Sequence, residues 1–196
     1  MTILAVLASG CAAEGKSERE VHALPKTLCE TRVERQVFKD LLPKPKDSPI
    51  VYTGAYGKLS ELDSIWEGGC RITVNRVHGL DIKSYVTVED LPNRKGFANL
   101  AFQAPRARWV KQGDVQGFAA PNRSYIWVPC ATAEYSFLHF VVRVESRSID
   151  KQGSRRLARV SGGVATAVAS YLSQDVMHCK NEPEIPASPH LGELVR

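Results

Sequence analysis

Alternation of apolar and polar residues between Cys70 and Glu145 is the feature that most constrains the fold of this chain. A period of two places successive side chains on opposite faces of a strand. The turns between the alternating runs are short and no long helix separates them, so the pattern predicts a largely antiparallel sheet. We predict strands at 50–53, 70–75, 82–88, 106–111, 115–119, 124–129 and 136–145, a turn around 78–81 and a loop over 91–105.

Two helices are predicted to flank this sheet. Apolar residues at helical spacing indicate an N-terminal helix from Glu30 to Leu42, which Pro43 ends. A second, longer helix is predicted from about Ser154 to His178; it is rich in small residues, including Gly162 and Gly163. Two helical glycines cost stability, so we expect close packing of this helix against the sheet. The predicted fold class is α+β, with a single domain over 21–182 and an irregular tail over 183–196.

The N-terminus indicates export. Met1 to Ala8 is uncharged and mostly apolar, and Ser9, Gly10 and Cys11 follow it, as in the apolar region and cleavage site of a secretory signal. The string LASGC resembles the lipobox of bacterial lipoproteins, in which the cysteine is acylated with diacylglycerol and becomes the new N-terminus. This resemblance implies a signal peptide over 1–10, a lipidated tether over 11–20 and anchoring at the extracellular face of the cytoplasmic membrane.

Two alternatives to this interpretation of the terminus stay open. No Lys or Arg precedes the apolar stretch, and a start codon upstream of Met1 would supply the missing charge. The other interpretation of the segment is a buried N-terminal strand or helix with Cys11 in the core.

Five cysteines are present, at 11, 29, 70, 130 and 179. If Cys11 carries the lipid, four remain, and an oxidising exterior would pair them in one of three ways. We favour Cys29–Cys70 and Cys130–Cys179, because each bond then closes a separate half of the chain. Each loop spans about 40–50 residues, which corresponds to ~4 kcal/mol of stabilisation per bond. Buried free thiols are the alternative; zinc is disfavoured because no C-x-x-C occurs.

The mature pattern as a whole resembles secreted lipoproteins of unknown function from actinobacteria, such as those of Streptomyces. The resemblance is carried by LPKTLCETRV, EGGCRITV, WVPC, the small-residue helix and CKNEP. It implies no known active site, and accordingly we assign no catalytic residue, cofactor or metal. No nucleophile elbow, Walker A loop or H-E-x-x-H motif occurs, and Ser173 and His178 are too far apart around a helix to form a nucleophile–base pair.

Basic residues between the last predicted strand and the last helix form the candidate binding feature. The net charge of the chain is +5, and this cluster predicts a contact with lipid headgroups, an envelope phosphate or an acidic partner through Arg147, Lys151, Arg155, Arg156 and Arg159. A solvated helix face with local ion pairs is the alternative. Tyr125 and Trp127 share one strand face and either bind a ligand or pack in the core.

We therefore expect a lipid-anchored extracytoplasmic binding or interaction module of the cell envelope. It would contact the membrane through its lipid and would bind an anionic envelope component or a protein as its partner. We expect it to bind no nucleic acid. The first alternative is an exported, envelope-acting hydrolase without a recognisable motif, which would need two convergent carboxylates or an oriented Ser or His. The second is a cytoplasmic regulator with reduced thiols.

Overall fold

The computed structural model describes residues 18–21, 26–27, 33–38, 41–42, 50–53, 67–74, 77–87, 94–101, 104, 106–136, 138–146 and 155–195. These residues form one antiparallel sheet of nine strands in the order β1-β2-β3-β4-β8-β7-β6-β5-β9. The strands are β1 (Glu18–Val21), β2 (Ile50–Thr53), β3 (Glu67–Val74), β4 (Val77–Thr87), β5 (Arg108–Gln112), β6 (Val115–Ala119), β7 (Arg123–Cys130), β8 (Leu138–Ser146) and β9 (Leu191–Leu194).

Helices cover the sheet on both sides. The described helices are α1 (Arg35–Phe38), α2 (Arg94–Ala101) and α3 (Arg155–Tyr171), and α3 continues into a π-helical segment, Leu172–Val176. α3 packs mainly on β7 and β8, and α2 contacts β6 on the opposite side. We call these two sides of the sheet the α3 face and the α2 face. No described helix is long and apolar enough to span a membrane.

The main core lies between α3 and the sheet. Strand residues such as Ile82, Phe140 and Val142 are fully buried there against Val164 and Val168 of α3. A smaller apolar cluster lies on the α2 face and includes Ala101, Phe118, Trp127 and Val141. Because strands β4, β7 and β8 are buried on one face and partly polar on the other, their sequences alternate, which is the pattern that predicted them.

The strand predictions are confirmed with small shifts of boundary, whereas three segments differ from prediction. The predicted turn at 78–81 lies within β4, where His78 pairs with Thr73 and Leu80 pairs with Ile72. The predicted loop over 91–105 contains α2, which is amphipathic but has only eight residues, too few for its periodicity to stand out in the sequence. The predicted irregular tail contains β9, which pairs with β5 through Leu191 and Leu194.

The termini of the domain also differ from expectation. β1 begins at Glu18, so the last residues of the predicted tether are paired with β2. Within the predicted helix Glu30–Leu42, the structure describes one helical turn, Arg35–Phe38, and so a longer N-terminal helix is not confirmed. Residues 30–32 and 39–40 lie outside the described residues.

The predicted close packing of α3 is found at one of its two glycines. A Cβ atom at Gly162 would lie 2.9 Å from Cγ of Pro189 and 3.1 Å from Cβ of Ala119, so this glycine lets the helix approach both the sheet and the C-terminal segment. A Cβ atom at Gly163 would meet nothing within 4 Å. The expected compensation therefore applies to Gly162 alone.

The disulfide prediction is confirmed for Cys130–Cys179, whose Cα atoms are 5.1 Å apart. This bond fixes the segment after α3 to the end of β7. Asn181 reinforces the attachment, because its side chain accepts a hydrogen bond from the amide of Ala131 and donates one to the carbonyl of Pro129. Cys70 is also disulfide-bonded; its predicted partner, Cys29, lies outside the described residues, so the predicted Cys29–Cys70 bond is not confirmed.

Candidate functional site: a charged cleft at one end of the sheet

Polar residues of β3, β4 and β8 lie on the α2 face because their apolar neighbours lie in the main core. Ile72, Leu80, Ile82 and Val144 face α3, so the adjacent Arg71, Asp81 and Glu145 project on the other side. The pattern that builds the core thus also collects charged side chains on one surface.

Strand register places four of these charges in one line across the sheet. Arg71 pairs with Asp81, Asp81 with Glu145, and Glu145 with Arg123. We call these four residues the charged row. Its order is positive, negative, negative, positive, and adjacent members lie about 5 Å apart between backbones. Like charges directly opposite each other in a sheet repel, so the central carboxylates rely on the flanking arginines.

Ion pairs hold the charged row. Nη2 of Arg71 lies 2.9 Å from Oδ2 of Asp81. On the other side, Nη2 of Arg123 lies 2.6 Å from Oε1 of Glu145, and Nη2 of Arg143 lies 2.7 Å from the same oxygen. The side chains of Arg71 and Arg143 keep 48% and 38% of their surface exposed. They therefore offer hydrogen-bond donors to solvent or to a ligand.

The charge of this surface is positive. Three guanidinium groups against two carboxylates leave one positive charge, and exposed Lys83 pairs with Arg143 in the register of β4 and β8. Burial lowers the pKa of Arg143, but the hydrogen bond and the charge of Glu145 offset it, and the pKa is raised overall. Arg143 therefore stays protonated at every pH near neutrality.

A cleft of about 230 Å³ opens at the charged row. Its lining consists of Arg71, Gly79, Leu80, Asp81, Asn122, Arg123, Glu145 and Ser146. We call it the charged cleft. Oδ1 of Asn122 is buried at its wall and has no hydrogen-bond partner among the described residues. A buried acceptor without a partner is costly, so a ligand or water donor is expected there.

An aromatic cluster adjoins the charged cleft on the α2 face. The ring centroids of Tyr125 and Trp127 are 4.7 Å apart, and the ring of Phe118 stacks on Tyr125 at 6.1 Å. The hydroxyl of Tyr85 contacts the hydroxyl of Tyr125. Trp127 is buried and Tyr125 is half-buried. Of the two interpretations of Tyr125 and Trp127, the structure favours packing.

The structure places the predicted basic cluster only in part. Arg147 and Lys151 lie outside the described residues. Arg155, Arg156 and Arg159 are exposed on α3, on the opposite side of the sheet from the charged row, and Nη2 of Arg155 donates to the carbonyl of Leu191. Cys11 and Cys29 also lie outside the described residues. Ser173 is buried, and Nδ1 of His178 lies 2.8 Å from the carbonyl oxygen of Gln174.

Sequence reasoning missed the charged cleft. Alternation in the sequence puts Arg71 on the other strand face from Cys70 and Ile72, and it likewise puts Glu145 on the other face from Val144. Asp81 was hidden because it was assigned to a turn. The line of four charges depends on the register of four strands, which no local pattern specifies.

The described residues hold no group of three or more His, Cys, Asp or Glu side chains able to bind a metal ion. Comparison with protein-family models, curated proteins and solved structures finds no match for this chain.

Proposed function

We propose that this chain is a lipid-anchored, extracytoplasmic binding module of the cell envelope, with the charged cleft as its ligand site. The observation that carries the binding role is the charged row. Ion pairs that stay in contact with solvent stabilise a fold by only about 0–1 kcal/mol each, so stability alone gives little reason to collect the partly exposed Arg71, Asp81, Glu145 and Arg123 in one cleft. Recognition of a polar ligand gives a better one.

The scaffold suits binding. Each member of the charged row stands on a strand of a continuous sheet, and ion pairs fix its side chain before any ligand arrives. Preorganised groups lose little entropy on binding, which favours affinity for a small ligand.

The N-terminal sequence and the cysteines support the proposed extracytoplasmic location. LASGC supports acylation of Cys11, and we propose that the lipid places the domain outside the cytoplasmic membrane, as in actinobacterial lipoproteins. An oxidised Cys130–Cys179 bond fits that compartment. We propose Cys29 as the disulfide partner of Cys70, which would leave Cys11 as the cysteine that carries the lipid.

The basic start of α3 is proposed as a second contact with the envelope. Arg155, Arg156 and Arg159 are exposed within two turns of one helix. Arginines so arranged attract anionic headgroups or polymers at low salt. We extend this role to Arg147 and Lys151, as the sequence suggests.

Hydrolysis is the weaker alternative. A hydrolase of the two-carboxylate type needs one carboxyl that donates a proton and one that stays ionised. Asp81 and Glu145 are cross-strand neighbours, but each contacts an arginine, so both are placed as ion-pair partners. This arrangement favours binding over acid catalysis.

Membrane fractionation of an actinobacterial host tests the address. We expect the full chain in the membrane fraction, released by detergent but not by high salt, and the Cys11→Ser variant to lose this behaviour. Ser9→Ala is the matched control, because it keeps a small residue before the cysteine and should remain anchored. Equal partition of the chain and the Cys11→Ser variant into the cytosol would overturn the proposal.

A further inference from the structure

We infer that the charged cleft binds a small zwitterion of the amino-acid or dipeptide type. This inference rests on the proposed binding function and names its ligand. The cleft presents donors and acceptors together, which a simple anion site does not.

The donors belong to the arginines. Arg71 contacts Asp81 through Nη2 alone, and Arg123, the other arginine that lines the cleft, likewise contacts Glu145 through Nη2. A guanidinium has five N–H groups, so both retain several donors, and their fork matches a carboxylate. Arg71 is the more exposed of the two, and we assign it to the carboxylate end of the ligand.

The acceptors lie beside these donors. Both arginine contacts of Glu145 reach Oε1, and among the described residues Oε2 accepts none. Asp81 uses Oδ2 for Arg71, and Oδ1 of Asn122 is buried without a partner. An ammonium group has three donors and suits this set of oxygens. We assign Glu145 and Asn122 to the ammonium end.

The dimensions agree with this class of ligand. The cleft measures about 230 Å³, below the range of roughly 300–1,000 Å³ typical for drug-sized molecules. The strands of Arg71 and Glu145 are two spacings apart, ~10 Å between backbones. The side chain of Arg71 reaches towards Asp81 and shortens this span, so an extended dipeptide, ~7 Å long, fits between the two ends.

The test uses the full chain carrying Cys11→Ser, with backbone amide NMR shifts as the readout. Four probes are titrated at neutral pH: alanyl-alanine, N-acetyl-alanine without the ammonium, alaninamide without the carboxylate, and inorganic phosphate. We expect alanyl-alanine to shift the Asn122 and Glu145 amides with an affinity about tenfold or more above either blocked probe, because each blocked probe lacks one charge-assisted hydrogen bond.

Variants separate the two ends. Arg71→Gln should weaken alanyl-alanine and N-acetyl-alanine but not alaninamide, and Glu145→Gln should weaken alanyl-alanine and alaninamide but not N-acetyl-alanine. Asn122→Ala, which removes the other acceptor assigned to the ammonium end, replaces Glu145→Gln if the latter changes the amide spectrum. Lys111→Gln, an exposed basic residue of β5 outside the cleft, is the matched control and should change nothing.

Two results would overturn the inference. Phosphate or N-acetyl-alanine binding at least as tightly as alanyl-alanine would mean an anion site, and the proposed binding function would stand with a different ligand. Absence of any shift at Asn122 and Glu145 with all four probes would overturn the ligand and the assignment of the cleft together.

Discussion

A buried hydrogen bond between α3 and β7 allows the packing of the main core to be tested quantitatively. Oγ of Ser124 on β7 lies 2.7 Å from Oγ of Ser161 on α3, and the two residues are 0% and 1% exposed. Neither hydroxyl has another side-chain partner among the residues that the structure describes. We perturb this contact with Ser124→Ala, Ser161→Ala and the double variant.

The two single losses should differ. Ser161→Ala leaves the hydroxyl of Ser124 buried on a strand without a partner, which costs about 1–3 kcal/mol. Ser124→Ala leaves Ser161 in a helix, where its hydroxyl is able to turn to the carbonyl of Leu157, so we expect a smaller loss of about 1 kcal/mol. The double variant leaves no hydroxyl behind and should lose no more than ~1 kcal/mol. The resulting coupling energy is about 1–3 kcal/mol.

Urea unfolding of the four proteins, all carrying Cys11→Ser, measures these free energies, and an unchanged m-value keeps the comparison valid. If the double variant instead loses the sum of the two single losses, the hydroxyls are not coupled. The inference that this hydrogen bond helps to pack α3 against β7 would then be wrong.

Other substitutions test the sheet, the C-terminal segment and the charged row. Gly117 has a φ of 153°, and an added Cβ would overlap the carbonyl oxygen of Tyr125, so Gly117→Ala should lower the free energy of unfolding in urea by at least about 2 kcal/mol. Gly163 has open space around it, so Gly163→Ala should raise that free energy by about 0.5–1 kcal/mol, and equal effects of the two substitutions would contradict this reasoning. Cys130→Ala with Cys179→Ala opens a loop with a sequence separation of 49, so we expect a loss of ~4 kcal/mol and a larger m-value, and a loss below ~1 kcal/mol would refute the entropic argument. Because the pKa of Arg143 is raised, its stabilising contact with Glu145 is fully present below the unfolded-state pKa and is lost only in strong alkali. The difference in unfolding free energy between the chain and the Arg143→Gln variant, about 1 kcal/mol or less, should therefore stay constant from pH 6 to pH 9. A marked change across that range would contradict this expectation.

The sheet and α3 were predictable because their signals are local. Alternation in β8 and the apolar stripe of α3 each reflect one buried face, and both are readable in a single stretch of sequence. In α2 and β9 such signals are too short to recognise, since α2 has only eight residues and β9 four. β9 is stabilised by pairing with β5, and that partner lies about 80 residues earlier in the chain.

The candidate site was less predictable than the fold. The chemical types of Arg71 and Glu145 are plain in the sequence, but their placement in one row depends on long-range register. Asn122 lies in the turn before β7 and Arg123 is the first residue of β7, and polar residues are ordinary at both places. The basic residues of α3 were visible because they are close in sequence, and the structure places them on the other side of the sheet.

The state of the cysteines in protein isolated from its native membrane tests the central claim most directly. Peptide mass spectrometry after alkylation, with and without prior reduction, reports every sulfur in one experiment. We expect an N-terminal peptide that begins at diacylglyceryl-Cys11, a Cys130–Cys179 linked pair, a Cys29–Cys70 linked pair and no alkylation before reduction. An intact Met1 together with alkylation of all five cysteines before reduction would contradict the account.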